Sequence, residues 1–276
     1  MGKVKMKRKS TLIDMTAMSD VTVLLLTFFM LTSTFLAKEP TVVVTPSSVS
    51  QEKVPMANVV TILVSGKDKP GNAATPGTEG KVFISFTGDV DSTLSSEIIR
   101  EKVLLEAAKI YNEQRNNSKL EFTPKQIAEF KKINMFGLPL KDMPAYLDLE
   151  PGKRDKFQGD MTNPMVGIPY TNAKGELNKN KDRDFTDLQI WMRAISNVAW
   201  NIHSDKVKAD GLSKAEEKAL EDFHNAIRLS GNGIAIKADK DTPYETVHNV
   251  FDNLQTIGLN KFTLLTALKS ENEPTN

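Results

Sequence analysis

Between residues 21 and 37 the chain reads VTVLLLTFFMLTSTFLA, seventeen residues without a charge. Extending the window back to Met15 gives twenty-three residues interrupted only by Asp20. A bilayer core of roughly 30 Å is crossed by about 20 helical residues at about 1.5 Å each, so residues 15–37 are long enough to span as one helix. No other stretch of the sequence comes close. Lys3, Lys5, Lys7, Arg8 and Lys9 precede it, with Asp14 as the only opposing charge before Asp20. The positive-inside rule therefore keeps residues 1–14 in the cytoplasm and exports everything after residue 37. A cleaved secretory signal also starts basic and continues apolar, but its apolar region runs about 7 to 15 residues and stops at a small-x-small site. This run is longer, holds a carboxylate and ends in Phe35, Leu36, Ala37 and Lys38, which fits an uncleaved anchor.

The exported part has the composition of a water-soluble fold. Over the 276 residues, 39% are hydrophobic and 26% charged, and 36 Lys plus Arg against 35 Asp plus Glu leave no overall field that would attract nucleic acid. The absence of cysteine removes disulfides, thiolate catalysis and cysteine-based metal sites from consideration. His203, His224 and His248 stand far apart in no ligand spacing, so neither a metal nor a cofactor is expected. Nor does any nucleophile elbow, phosphate loop or dinucleotide glycine motif appear, and an enzyme is not expected.

Chemistry is concentrated in the membrane segment. A charged aspartate at the centre of a span costs about 2.5 to 3.5 kcal/mol, and less toward an interface, where Asp20 lies about one turn in. Position alone leaves Asp20 as either a boundary residue wetted by headgroup water or a functional one. Thr16, Asp20, Thr27 and Thr34, however, are spaced by 4, 7 and 7, which sets them along one stripe of a helix. Leu24, Leu25, Phe28, Phe29, Leu31 and Phe35 occupy much of the rest. Lipid offers no hydrogen bonds, so a polar stripe on an apolar helix expects a protein partner or a water-lined surface. A carboxyl group drawn out of water there favours its neutral form, which makes such an aspartate a site for taking up and releasing protons. Moving one charge through 100 mV is worth about 2.3 kcal/mol, enough for such a cycle to deliver work.

The stretch 12–32, LIDMTAMSDVTVLLLTFFMLT, closely resembles the ExbD/TolR family of biopolymer transport proteins. The resemblance lies in Ile13, Asp14, Met15 and Thr16 at the start, Met18 before the acidic residue, Asp20 with Val21, the 24–26 leucine run, Phe28 or Phe29, and Thr32. It implies that Asp20 is the proton-translocating aspartate, and that the family's membrane threonine falls on Thr32 or Thr27. Ala17 departs from the family, which has proline there. Farther on, GIAIKAD at 233–239 with Thr242, Pro243, Tyr244 and Val247 resembles the family's strand-loop-helix. The middle of the chain is longer than compact members need, and resembles the large ExbD-like proteins of Bacteroidetes.

Residues 38–57 carry Pro40, Pro46 and Pro55 without helical periodicity, which reads as an extended linker. Within it Val42, Val43 and Val44 are either a plain spacer or, as the resemblance implies, part of a short element that pairs with a sheet edge and switches between bound and free. The domain at 58–268 is expected to begin with a hairpin, strands 59–64 and 81–86 around a Gly/Pro-rich loop at 66–80, followed by a helix at 94–114. An insertion at about 116–182 has a short helix after Thr123 and Pro124. From 137 to 182, with Pro139, Pro144, Pro151, Pro164 and Pro169, it reads as loop. Helices follow at 186–203 and 213–229, the latter with Ser213 and Glu216 as a capping box. Then come a strand at 234–237, a helix at 244–257 closed by Gly258, a strand at 261–266 and a tail at 269–276. Lys237 and Asp239 at a strand end read as a cap and a solvated charge. The expected fold is a single transmembrane helix plus an α+β domain, a mixed sheet with helices on one face.

The resemblance implies a motor subunit of the bacterial inner membrane that uses the proton gradient to energise a TonB-like protein for outer-membrane transport. Its coupling ion is the proton. Its implied partners are a pentameric ring of ExbB-like subunits, a second copy of itself and the TonB-like protein, with peptidoglycan as a further candidate. Two alternatives remain open: a TolR-like motor subunit in envelope maintenance, and a signal-anchored periplasmic binding protein in which Asp20 has no proton role.

Overall fold

The computed structural model describes residues 15–32, 41, 43–48, 59–66, 80–87, 97–115, 119–172, 177–180, 182–201, 213–224 and 233–268. The chain divides into two compact units, Met1–Lys38 and Glu39–Asn276.

In the first unit helix α1 runs over Met15–Thr32. Ten large apolar side chains between Met18 and Leu31 are each more than half exposed, reaching 87% at Leu31. A helix in a water-soluble fold buries one apolar stripe, whereas this one presents apolar groups on all sides and has no core of its own to cover them. Residues 33–37 of the expected span lie outside the described residues, and among the described residues no helix is long and apolar enough to cross a membrane.

The second unit contains β1 (Ser47–Ser48), β2 (Val59–Val64), β3 (Val82–Thr87), α2 (Glu97–Gln114), α3 (Pro124–Lys131), β4 (Met135–Phe136), α4 (Met143–Leu147), α5 (Pro151–Gly159), α6 (Asp187–Asn201), α7 (Lys214–His224), β5 (Ile234–Ala238), α8 (Tyr244–Thr256), β6 (Thr263–Leu265) and β7 (Ala267–Leu268). The alternation that points to a hairpin produces one, with β2 and β3 antiparallel and Ile62 opposite Ile84. A mixed five-stranded sheet is ordered β4-β3-β2-β5-β6, in which β5 joins β2 in parallel and β6 joins β5 in parallel. Parallel neighbours need a crossover, and α8 supplies it between β5 and β6. That helix stops where expected. Gly258 adopts φ +83°, while Gly258 N–H donates to the Gln255 carbonyl and Leu259 N–H to the Leu254 carbonyl, the paired bonds of a glycine-closed helix end.

The period-2 pattern sorts the strand side chains onto two unequal faces. Val60, Ile62, Val64, Val82, Ile84, Phe86, Ile234 and Ile236 point into the main core with α2, α6 and α8. Helix α6 buries Leu188, Ile190, Trp191, Met192, Ala194, Ile195, Val198 and Ala199 there. Trp191 stacks on Phe130 of α3 at 5.9 Å and 12°, and meets Phe136 of β4 at 4.6 Å. The opposite face carries Leu63 and Phe83 as its buried large apolar groups among the described residues, and it is not left open. Val43 and Val166 close over it, with Met135, Met161 and Phe157 of α5 packed against them.

Residues 137–182, expected to be loop, depart from that expectation. They contain a 3₁₀ turn at Leu140–Asp142 as well as α4 and α5. Pro144 and Pro151 sit in the first helical turn of α4 and α5, where the missing amide hydrogen costs nothing, so prolines that read as breakers are starters. Phe157 of α5 also reaches the second face, so the helices are not confined to one side. Polar ties brace this insertion within itself and fasten it to the body at Asp187. Arg154 pairs with Glu129 of α3, the Gln126 amide donates to Asp148 at 3.0 Å, and Asp187 binds both Arg115 and the Leu140 N–H, at 3.0 and 2.7 Å. The Asp187 side chain is only 4% exposed. Burial drives its carboxyl above the ordinary range, opposed by the Leu140 N–H and the Arg115 charge.

Candidate functional site

Asp20 lies on α1 in its first half and is exposed. Its neighbours show how a polar group is handled on this helix. The Thr22 hydroxyl donates back to the Met18 and Ser19 carbonyls at 3.0 and 2.8 Å, and the Thr27 hydroxyl donates to the Leu24 carbonyl at 2.9 Å. A hydroxyl that bonds its own helix backbone satisfies itself without water, so these threonines are tolerable in an apolar medium. A carboxylate has no hydrogen to donate, and a helix backbone gives it no such escape. Among the described side chains of α1, Asp20 is thus the one that needs partners from outside the helix.

Among the expected supporting residues, Thr27 is seven positions from Asp20 and shares its side of α1. Thr16 and Thr32 belong to the helix backbone, but position 32 stands about 120° around from position 20 at about 100° per residue. Of the two threonines considered for the family position, Thr27 is the one on the aspartate's face. Thr34 lies outside the described residues. Thr22, not singled out in the sequence, is a second self-bonded hydroxyl within one turn of Asp20.

The valines of the linker behave differently from one another. Val42 lies outside the described residues. Val43 is buried, 8% exposed, on the second face of the sheet, while Val44 is 51% exposed. The Val44 N–H donates to Asp239 Oδ2 at 3.1 Å, and the Lys240 N–H donates to the Val44 carbonyl at 2.8 Å. Asp239 is a junction: its N–H donates to the Val64 carbonyl at 3.0 Å and its other carboxylate oxygen accepts from the Asp241 N–H at 3.0 Å. One residue, through its side chain and its own N–H, therefore ties the linker to the ends of β2 and β5. Four residues on, Ser47 and Ser48 of β1 pair in parallel with Ala267 and Leu268 of β7. Lys237 and Asp239 together read in the sequence as a cap and a solvated charge, and Asp239 caps the Asp241 N–H but also bonds the linker. Its partner lies 195 residues away, and no local spacing reveals such a bond.

Elsewhere, two surface hollows are lined by residues that form no catalytic pairing. One of about 670 Å³ lies between Leu105 of α2 and Phe122, and one of about 340 Å³ lies between Arg193 of α6 and Gly258. No group of three or more metal-ligating side chains is found among the described residues.

Residues 6–123 match the family model described as Biopolymer transport protein ExbD/TolR. No curated protein and no solved structure matches. The matched stretch takes in α1, the linker, the β2–β3 hairpin and α2, and stops at Thr123, the cap of α3. Residues 233–247, where a weaker likeness was read, fall outside it. From Met6 through Asp20 to the end of the first strand-strand-helix unit, residues 6–123 are the part of this chain that is similar to an ExbD/TolR family domain.

Proposed function

We propose that this chain is the proton-coupled subunit of an inner-membrane motor that energises a TonB-like protein for transport across the outer membrane. Asp20 is its proton-carrying group. The observation that carries the reading is the combination on α1: apolar side chains exposed on all sides, threonines that bond their own backbone, and a single carboxyl that the helix cannot satisfy. The family match over the same residues agrees with it.

On this reading α1 extends through residue 37 as one span with residues 1–14 in the cytoplasm. A ring of ExbB-like subunits surrounds two copies of it and supplies the polar groups that Asp20 lacks. Protonation makes the carboxyl neutral and lets the helix occupy an apolar position, and deprotonation drives it back toward a polar one. The linker at 38–57 passes that motion to a periplasmic body at 58–268, which dimerises and engages the TonB-like protein and the cell wall.

The test is Asp20→Asn, which keeps the side chain's size and removes its ionisation. Energised uptake is expected to fall to background while the protein is still expressed and still co-purifies with its ring. Uptake at the wild-type rate would refute the proton role and favour a tethered binding domain.

A further inference from the structure

The insertion at about 116–182 lies mostly beyond the family-matched stretch, and its placement gives it a task. Among the described residues the sheet brings Leu63, Phe83 and Met135 to the cluster around Val43. Three of the groups that complete the enclosure, Phe157, Met161 and Val166, come from the insertion. They are firmly based. The Gly167 N–H donates to the Gly137 carbonyl and the Ile168 N–H to the Val82 carbonyl, both at 2.8 Å, while Lys81 Nζ donates to the Asn163 carbonyl. Gly167 has φ +109°, and a Cβ there would come within 3.2 Å of Lys81 Cβ, so the turn that presents Val166 depends on glycine. Asp160 adds a second fold in the same loop. Its carboxylate accepts from the Thr162 hydroxyl and N–H, at 2.6 and 3.1 Å, and these bonds hold it below the usual carboxylate range.

We infer that the insertion is the wall of a seat for one linker residue, Val43, and that it sets how tightly the linker is held to the body. The occupant is an extended segment with a small branched side chain at the seated position. Its next residue donates N–H to Asp239 and accepts from the Lys240 N–H, so side-chain shape and backbone polarity are read together. Removing the wall leaves the Asp239 and Lys240 bonds in place but uncovers Val43, whereas removing the Asp239 side chain takes away one of the two backbone bonds and leaves the socket intact. The proposal rests on the reading of residues 38–57 as the strap that couples membrane helix to body.

The chain contains no cysteine, so single cysteines report cleanly. Val43→Cys and Val44→Cys are each introduced into the full chain in membranes, and their rates of reaction with a membrane-impermeant maleimide are compared. Cysteine is small and apolar enough to occupy the valine position. Labelling at 43 is expected to be about tenfold slower than at 44, as for a group exposed only by local opening. Adding Val166→Asp, or the milder Met161→Ala should the first variant not fold, is expected to abolish the difference by speeding position 43 alone. Equal rates in the otherwise unaltered chain, or protection at 43 that survives both wall substitutions, would overturn the inference. Because the readout is labelling and not uptake, an active Asp20→Asn variant would sink the motor reading without touching the seat, and an unprotected Val43 would do the reverse.

Discussion

Helices α1 and α6 both carry many large apolar residues and meet opposite fates. Helix α6 buries eight apolar side chains against the sheet and α2, with Trp191 at the centre of a ring cluster. Helix α1 leaves ten exposed. The difference is already in the order of residues. Along α6, Arg193, Ser196 and Asn197 interrupt the apolar groups and are only half-buried, whereas from Val21 to Leu31 α1 breaks its apolar run only with Thr22 and Thr27, which bond their own backbone. A helix with a polar side can rest its apolar face on a core and keep the polar one at the core's margin. A helix without one requires a different solvent.

The same substitution placed in each helix breaks this comparison most sharply. Ile195→Arg in α6 buries an unpaired charge in the main core and removes a packed side chain, a combination expected to cost more than about 4 kcal/mol and to unfold the body. Loss of the cooperative unfolding transition in circular dichroism is the measurement. Leu25→Arg in α1 is expected to cost about 2.5 to 3.5 kcal/mol of membrane integration instead, and to leave the body folded. Membrane flotation with protease protection reads that outcome, and a variant that integrates normally would mean that position 25 faces a polar surface.

A smaller effect comes from Asp187, which begins α6 and fastens the insertion to it. Its folded carboxyl is raised above the value of the unfolded chain, so the folded form holds the proton more strongly. Its contribution is therefore most favourable in acid and is lost as pH rises from the ordinary aspartate range through the raised value. Stability relative to Asp187→Asn, taken from urea midpoints, is expected to decline from pH 4 to pH 7. Glu129 acts in the opposite sense. Its hydrogen bonds from Lys132 and Arg154 hold it below the usual range, so its contribution is present near neutrality and fades as pH falls.

Local pattern carried far in this sequence and stopped at identifiable points. Strands β2 and β3, the α6 stripe and the Gly258 stop all rest on spacings of a few residues, and each stands where the spacing placed it. Helices α4 and α5 escaped notice because five and nine residues are too few to show a period, and because their prolines sit in the first turn, where they look like loop. The candidate sites divide in the same way. Asp20 is legible from its immediate surroundings, since an ionisable group in an apolar run is anomalous within one turn. The seat of Val43 is assembled from residues 43, 63, 83 and 166, and Asp239 reaches a backbone 195 residues away. Only folding brings those groups together.

The central claim is that Asp20 is a protonatable carboxyl enclosed by partner helices and out of bulk water. An apolar carbodiimide reacts with protonated carboxyl groups in such surroundings, and mass spectrometry of the peptide containing Asp20 reads the adduct directly. In membranes holding the assembled complex, Asp20 is expected to be modified, less so as pH is raised, and not at all when the ring subunits are absent. Modification of Asp20 only by a water-soluble carbodiimide, with or without the ring, would place the group in water and contradict the account.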